Sequence, residues 1–300
     1  MIVILTALQV EHQAVLEHLT NVEVRKHAAG TLFEVGTLTA QPKRHVALGL
    51  TGPGNERAAA LTERAIAEFS PSALMFVGVA GGLRPWLEIG DVVVATKVHA
   101  YHGGRSENDE FLVRPRSWEI SHALEQVARR IPRGGTWHSL LPNTGEGATP
   151  EVHFEPVAAG EVVLNSTSSP LAQKIRRNFN DAIAIEMESS GFAHAAHLSG
   201  KVPMVTIRSI SDHADGTKVT TDRQGGQRIA ARNAAAFAIA LAGAVDDDSD
   251  EHGRKQNSNP APNPWPRLNN TNTARDNARV GQQIGFNLGD SHANWTGGDR

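Results

Sequence analysis

Short unbroken apolar runs alternate along this chain with stretches in which apolar residues recur every three or four positions. Ile2 to Leu5 reads as a buried strand, and Gln9 to Leu19 follows at helical spacing with Glu11 in its first turn. Val46 to Leu50 is a second strand; the turn Thr51-Gly52-Pro53-Gly54-Asn55 then leads into an alanine-rich helix over about 56–68. Ala73 to Val77 runs into Gly78-Val79-Ala80-Gly81-Gly82, and Asp91 to Ala95 is a strand after the turn Glu88-Ile89-Gly90. Further on, Ala182 to Ile185 and Pro203 to Ile207 read as strands flanking a helix that opens at Ser189-Ser190-Gly191. A last helix over about 227–241 offers Ile229, Phe237 and Leu241 to a sheet. Strands and helices alternating in this way predict an α/β domain over residues 1–245.

The pattern breaks at Asp246. Residues 246–251 read DDDSDE, and the stretch to Arg279 is dominated by Asn, Pro, Thr and charge, with too few large apolar side chains to offset the entropy of ordering. Residues 246–279 are therefore expected to be a disordered linker, and 293–300 a disordered end. Between them, in residues 280–289, Ile284, Phe286 and Leu288 alternate with Gly and Asn, which favours an extended segment over a helix.

Composition narrows the classes of function. Of 300 residues, 40% are hydrophobic, enough to build a core in the first part of the chain. A formal charge of −3 leaves no basic footprint for nucleic acid, and no apolar run approaches a membrane span. Met1-Ile2-Val3-Ile4-Leu5 lacks the charged start and the length of a signal peptide, so the cytoplasm is the expected compartment. The absence of cysteine rules out thiolate metal sites. Among the fourteen histidines, His194 and His197 share a helix at i, i+3 without a third ligand, so no metal and no cofactor are expected.

Two acids stand where sites are built. Glu188 falls at a strand-to-helix junction, and Asp212 lies past the C-terminal end of the 203–207 strand, where open α/β sheets present ligand-binding groups. Taken singly, Glu188 also reads as a helix cap and Asp212 as a turn residue.

Six segments in order carry a family resemblance: TALQVEHQAV at 6–15, GLTGPGN at 49–55, VGVAGGL at 77–83, EIGDVVVAT at 88–96, AIEMES at 184–189 and IRSISDHAD at 207–215. Over about 1–243 the chain resembles the purine nucleoside phosphorylase and uridine phosphorylase superfamily, most closely its methylthioadenosine/adenosylhomocysteine nucleosidase branch. The resemblance implies a three-layer αβα sandwich around a twisted mixed sheet, assembled as a homo-oligomer, that cleaves the N-glycosidic bond of an adenine-type nucleoside. Glu11 then corresponds to the general base for water, Arg208 to a residue that helps hold that water, and Asp212 to the acid that protonates purine N7. Met187 and Glu188 correspond to the ribose contacts, and Val163 and Leu164 to the segment beside the base. Val79 and Gly81 belong to the strand end that borders the site. Val79 departs from the family serine and Val163 from the usual stacking phenylalanine. With Phe76 and Val79 at that strand end, the phosphate ligands of the phosphorylases have no counterpart, which favours hydrolysis.

Two segments lie outside this pattern. Tyr101 to Arg116 concentrates Arg105, Arg114 and Arg116, either as a solvated loop or as a reader of a charged 5′ substituent, which would make a nucleotide such as ATP the substrate. The segment Gln282-Gln283-Ile284-Gly285-Phe286-Asn287-Leu288 resembles the RIP homotypic interaction motif and its bacterial counterparts, short amyloid-forming motifs of signalling proteins; the alternative is an unstructured tail. On the first reading, residues 280–292 recruit a signalling partner and clustering activates the enzyme. A peptide covering Ala278 to His292 is then expected to form β-rich fibrils, and Ile284→Asp to block them by setting a charge in the dry interface. Thioflavin binding of the two peptides checks this, and a soluble wild-type peptide at high concentration leaves the segment a plain tail.

Overall fold

The computed structural model describes residues 1–108, 110–141, 149–200 and 202–245. The linker and the 280–292 segment lie outside these residues.

The strands are β1 (Ile2–Thr6), β2 (Leu19–Lys26), β3 (Leu32–Leu38), β4 (Gln41–Leu50), β5 (Ala73–Gly82), β6 (Val92–Ala100), β7 (Gly104–Ser106), β8 (Phe111–Val113), β9 (Arg116–Glu119), β10 (Val152–Ala159), β11 (Ala184–Glu186) and β12 (Met204–Asp212). The helices are α1 (Gln9–Leu16), α2 (Asn55–Phe69), α3 (His122–Gly134), α4 (Pro170–Asn178), α5 (Ser189–Leu198), α6 (Lys218–Arg223) and α7 (Gly226–Ala244), with a 3-10 turn at Thr136–Leu140. One mixed, ten-stranded sheet runs β11-β10-β6-β12-β5-β1-β4-β3-β2, with β9 on the edge of β6. The short β11 pairs β10 on one side and β5 on the other, so β11, β10, β6, β12 and β5 close into a ring at one end of the sheet. β7 and β8 form a separate hairpin.

Side-chain alternation along the central strands builds both outer layers. Ile2, Ile4, Met75, Val77, Val92 and Val94 face α1, α3 and α7, while Val3, Leu5, Leu74, Phe76, Val93 and Ala95 face α2 and α5. Because both faces are covered, these strands read as unbroken apolar runs. The α/β sandwich expected from the chain is the fold it adopts.

Several local expectations give way. The first helix ends at Leu16, and Leu19 opens β2 instead of closing the helix; from there the chain pairs antiparallel with β3, with a register shift between Thr20 and Glu23. β2, β3 and β4 form an antiparallel meander, so strands and helices do not alternate throughout. Ile229 is 42% exposed, whereas Phe237 and Leu241 are fully buried. At 3.6 residues per turn Ile229 sits about 80° around the helix from Phe237, off the buried stripe. Asp212 is the last residue of β12, not a residue beyond it. A β-bulge explains the difference: Ile210 pairs with Ala80 and Asp212 with Gly81, leaving Ser211 as an extra residue that re-aims Asp212.

Helices α2 and α5 cross at Gly191, where an added Cβ would fall inside the van der Waals shell of the Asn55 carbonyl oxygen. Backbone cannot yield as a flexible side chain does. Gly191→Ala is expected to lower stability by about 1–3 kcal/mol or more. Urea unfolding of the variant measures this, and a midpoint equal to wild type would mean the helices do not approach so closely.

Candidate active site

A cavity of about 440 Å³ opens where β5, β11 and β12 end, between the start of α1 and the start of α6. Its walls include Glu11, Val79, Gly81, Val163, Leu164, Met187, Glu188 and Asp212, so eight residues named from the sequence meet in one place.

Glu11 owes its position to the first turn of α1. Its Oε2 accepts hydrogen bonds from the N–H groups of Ala7 and Leu8 at 2.9 and 2.8 Å, and Oε1 accepts from Val79 N–H at 2.9 Å. Three donors orient a carboxylate that is nearly fully buried. Burial raises its pKa, more than Arg208 and the backbone donors lower it. The Val79 side chain leaves a serine-like contact out of the cavity, but its backbone holds the acid.

Glu188 stands at the N-cap position of α5, but its side chain makes no capping bond. That work falls to Glu186, whose carboxylate accepts from Glu188 N–H at 3.0 Å and from both the N–H and hydroxyl of Ser189. Glu188 is thereby free to reach across to Gly54 N–H at 3.2 Å and to Arg208 Nη2 at 3.4 Å. Its pKa is pushed up to about 7, by burial first and then by Glu186 and Glu11, with Arg208 and Gly54 acting in the opposite direction.

Arg208 lies behind the cavity wall, fully buried, with its guanidinium carbon 4.8 Å from the centre of the Phe76 ring. It is paired with Glu186 and donates to Ser189 Oγ at 3.1 Å. Burial opposes its charge, but Glu186, Glu188 and Glu11 outweigh it and raise its pKa. Gly78 is required here: a Cβ would collide with both Arg208 Nη1 and Glu11 Oε1. Arg208 Nε and Nη1 make no hydrogen bond to the described protein.

Asp212 Oδ1 accepts from Ala214 N–H at 3.0 Å, and Oδ2 accepts from Ser211 Oγ at 2.9 Å and Lys218 Nζ at 2.7 Å. The Ala214 contact is the turn bond expected of an aspartate, yet the carboxylate also lines the cavity. The wall carrying Val163 and Leu164 is tied in place by Tyr101, whose hydroxyl donates to Val162 O at 3.2 Å. Asn55 adds further ties to Gly160 O, Glu161, Ser190 and Gly191.

The arginines of the 101–116 segment stand elsewhere. Arg105 is exposed and paired with Glu107. Arg114 and Arg116 border a separate groove with Asn55, Ser190 and His194. His194 and His197 are exposed on α5, and no cluster of three metal-ligating side chains occurs among the described residues. Sequence reasoning missed Glu186 and Lys218. Glu186 was visible as the first acid of Glu-Met-Glu; nothing local marked Lys218, six residues past Asp212, as its partner.

The sequence model described as the phosphorylase superfamily matches residues 1–243. The chain belongs to this superfamily. Among solved superfamily structures, a 5′-methylthioadenosine/S-adenosylhomocysteine nucleosidase from Neisseria meningitidis is 25% identical, with a TM-score of 0.65 over 81% of this chain and 99% of that one. The corresponding nucleosidase of Colwellia psychrerythraea, bound to adenine, gives 24% identity and a TM-score of 0.68, over 81% of this chain and 94% of its own. Futalosine hydrolase of Helicobacter pylori gives 21% and 0.66, over 81% and 97%. The ATP nucleosidase Cap17 of Escherichia coli strain KTE188 is 26% identical over 195 residues, covering 59% of this chain and 38% of that protein. The chain thus spans well under half the length of that curated relative.

Within this superfamily site, stability is linked to the Glu188 proton. A carboxyl raised from 4.5 to about 7 in the folded state contributes stability that is fully present below about 4.5 and lost as pH rises through about 7. Glu188→Gln removes that loss. The melting temperature of the variant relative to wild type is therefore expected to increase between pH 5 and pH 8, and a difference that stays flat would remove the raised pKa.

Proposed function

We propose that the cavity hydrolyses the N-glycosidic bond of a purine, adenine-type nucleoside such as methylthioadenosine or S-adenosylhomocysteine and releases the free base. The observation that carries this reading is the set of carboxylates lining one cavity, with Glu11 and Glu188 beside Arg208 and Asp212 paired with Lys218. As the C1′–N9 bond breaks, its electron pair goes to the purine and C1′ becomes an oxocarbenium-like cation. Glu188 accepts hydrogen bonds from the ribose hydroxyls, beside Met187, and its charge steadies the cation. Asp212 passes a proton from Oδ1, the oxygen with a single donor, to N7, so that the base leaves neutral. Glu11 takes a proton from the water that adds to C1′. Arg208, whose Nη1 borders the same glycine as Glu11, helps to hold that water. Val163 and Leu164 flank the base.

Hydrolysis is favoured over phosphorolysis because Glu11, Glu186 and Glu188 surround the place a phosphate would occupy, and their one cation, Arg208, is already paired with Glu186. Like charges there repel a phosphate dianion.

A second reading shares the chemistry and changes the substrate. The similarity to an ATP nucleosidase supports a purine nucleotide such as ATP; on this reading the enzyme is an effector that clusters through residues 280–292. In that segment Ile284, Phe286 and Leu288 alternate with Gly and Asn. On either reading the protein is a homo-oligomer that works in the cytoplasm without a cofactor.

Asp212→Asn is expected to slow base release by roughly 10²–10⁴-fold while leaving substrate affinity within about tenfold, because it removes the proton and keeps the shape. Turnover is expected to be independent of phosphate. Adenine release from methylthioadenosine, S-adenosylhomocysteine, AMP and ATP, with and without phosphate, tests both: ribose 1-phosphate as the product, or an Asp212→Asn enzyme at wild-type speed, would sink this mechanism.

A further inference from the structure

We infer that Lys218 reads an anionic 5′ substituent, so that the cavity selects a purine nucleoside 5′-phosphate over the neutral nucleoside. This inference rests on the reading of the cavity as a nucleoside site. Among the described residues that line the cavity, Lys218 is the sole cation, and the half-buried Gln227 amide lines the same cavity. Arg208 sits behind the wall and is committed to Glu186. The arginines Arg105, Arg114 and Arg116 line other surface.

With Asp212 read as the N7 acid, this ammonium stands beside the 5′ position. Its Nζ donates to Asp212 Oδ2 at 2.7 Å, and Asp212 is the group that meets N7. In an anti purine nucleoside the imidazole edge, N7 and C8, lies over the side of the sugar that carries C5′. A cation in contact with the N7 acid is therefore next to whatever C5′ bears. An ammonium has three donors. One goes to Asp212, and Asp222 Oδ2 at 4.0 Å is too distant for a hydrogen bond. The side chain is 28% exposed, open enough to meet a ligand from its free side.

Charge balance during the reaction points the same way. In the protonation state that donates to N7, Asp212 is neutral, and the ammonium 2.7 Å away keeps only the longer ion pair with Asp222 Oδ2 at 4.0 Å. A 5′-phosphate oxygen at Lys218 supplies the missing negative charge in that state. The same contact would thus bind the substrate and favour the form of Asp212 that does the chemistry. A methylthio group at C5′ offers neither.

The test uses uncleavable probes, so it reads binding apart from turnover. Formycin, a C-nucleoside analogue of adenosine, and formycin 5′-monophosphate are titrated calorimetrically into the full chain and into Lys218→Met and Lys218→Arg, each first checked for an unchanged melting profile. Wild type is expected to bind the 5′-phosphate roughly tenfold to a hundredfold more tightly than formycin, the size of one charge-assisted hydrogen bond. Lys218→Met should bring that ratio to about one, and Lys218→Arg should restore part of it. A preference that survives Lys218→Met, or a wild type that binds formycin as tightly as its phosphate, overturns the role of Lys218 and leaves the nucleosidase reading standing. Binding of neither probe by wild type overturns both.

Discussion

One buried guanidinium organises this molecule. Arg208 carries a full positive charge at a point without solvent contact, and it is tolerable there because Glu186, Glu188 and Glu11 surround it. Removing one partner of such a cluster leaves a buried charge unanswered, which is far more costly than the net worth of the pairing. The cluster also joins elements distant in sequence. α1, β11, the start of α5 and β12 are locked together by one side chain, and the cavity is the space left in front of it.

That cluster has three acids for one base, and its chemistry follows from the imbalance. Burial raises the pKa of Glu11 and pushes that of Glu188 up to about 7, so a proton can reside on Glu188 near neutral pH. The division of labour between Glu186 and Glu188 depends on it. Glu186 answers the arginine and caps α5 through backbone N–H groups, which leaves Glu188 turned toward the cavity with one long contact to Arg208. The bulge at Ser211 turns Asp212 inward against Gly81, where a Cβ would lie 3.2 Å from its Oδ1.

Legibility followed the range of the interaction. The central strands were readable because both their faces are buried, making each an apolar run. The edge strands β2 and β9 were not, since their exposed faces carry polar residues and their pairing is decided across the sheet. The residues Glu11, Glu188 and Asp212 were found through motif order, and they do converge. The arginines of the 101–116 segment were grouped by proximity in sequence, whereas the fold sends Arg105 to a surface pair and Arg114 and Arg116 to another groove.

Sequence by itself determined the α/β architecture, the superfamily and the identity of the cavity acids, because these rest on periodicity and on short segments whose chemistry is local. Tertiary structure decided which acid does which job. Glu186 and Glu188 are two residues apart and chemically identical; the fold sets Glu186 against Arg208 and the start of α5 and turns Glu188 toward Gly54. The same holds for Lys218. A lysine at the start of a short exposed helix carries no signal in one dimension, and it becomes part of the site because the chain after β12 turns back to set its ammonium against Asp212. Charge interactions act through space and fall off with distance, so their partners are named by the fold.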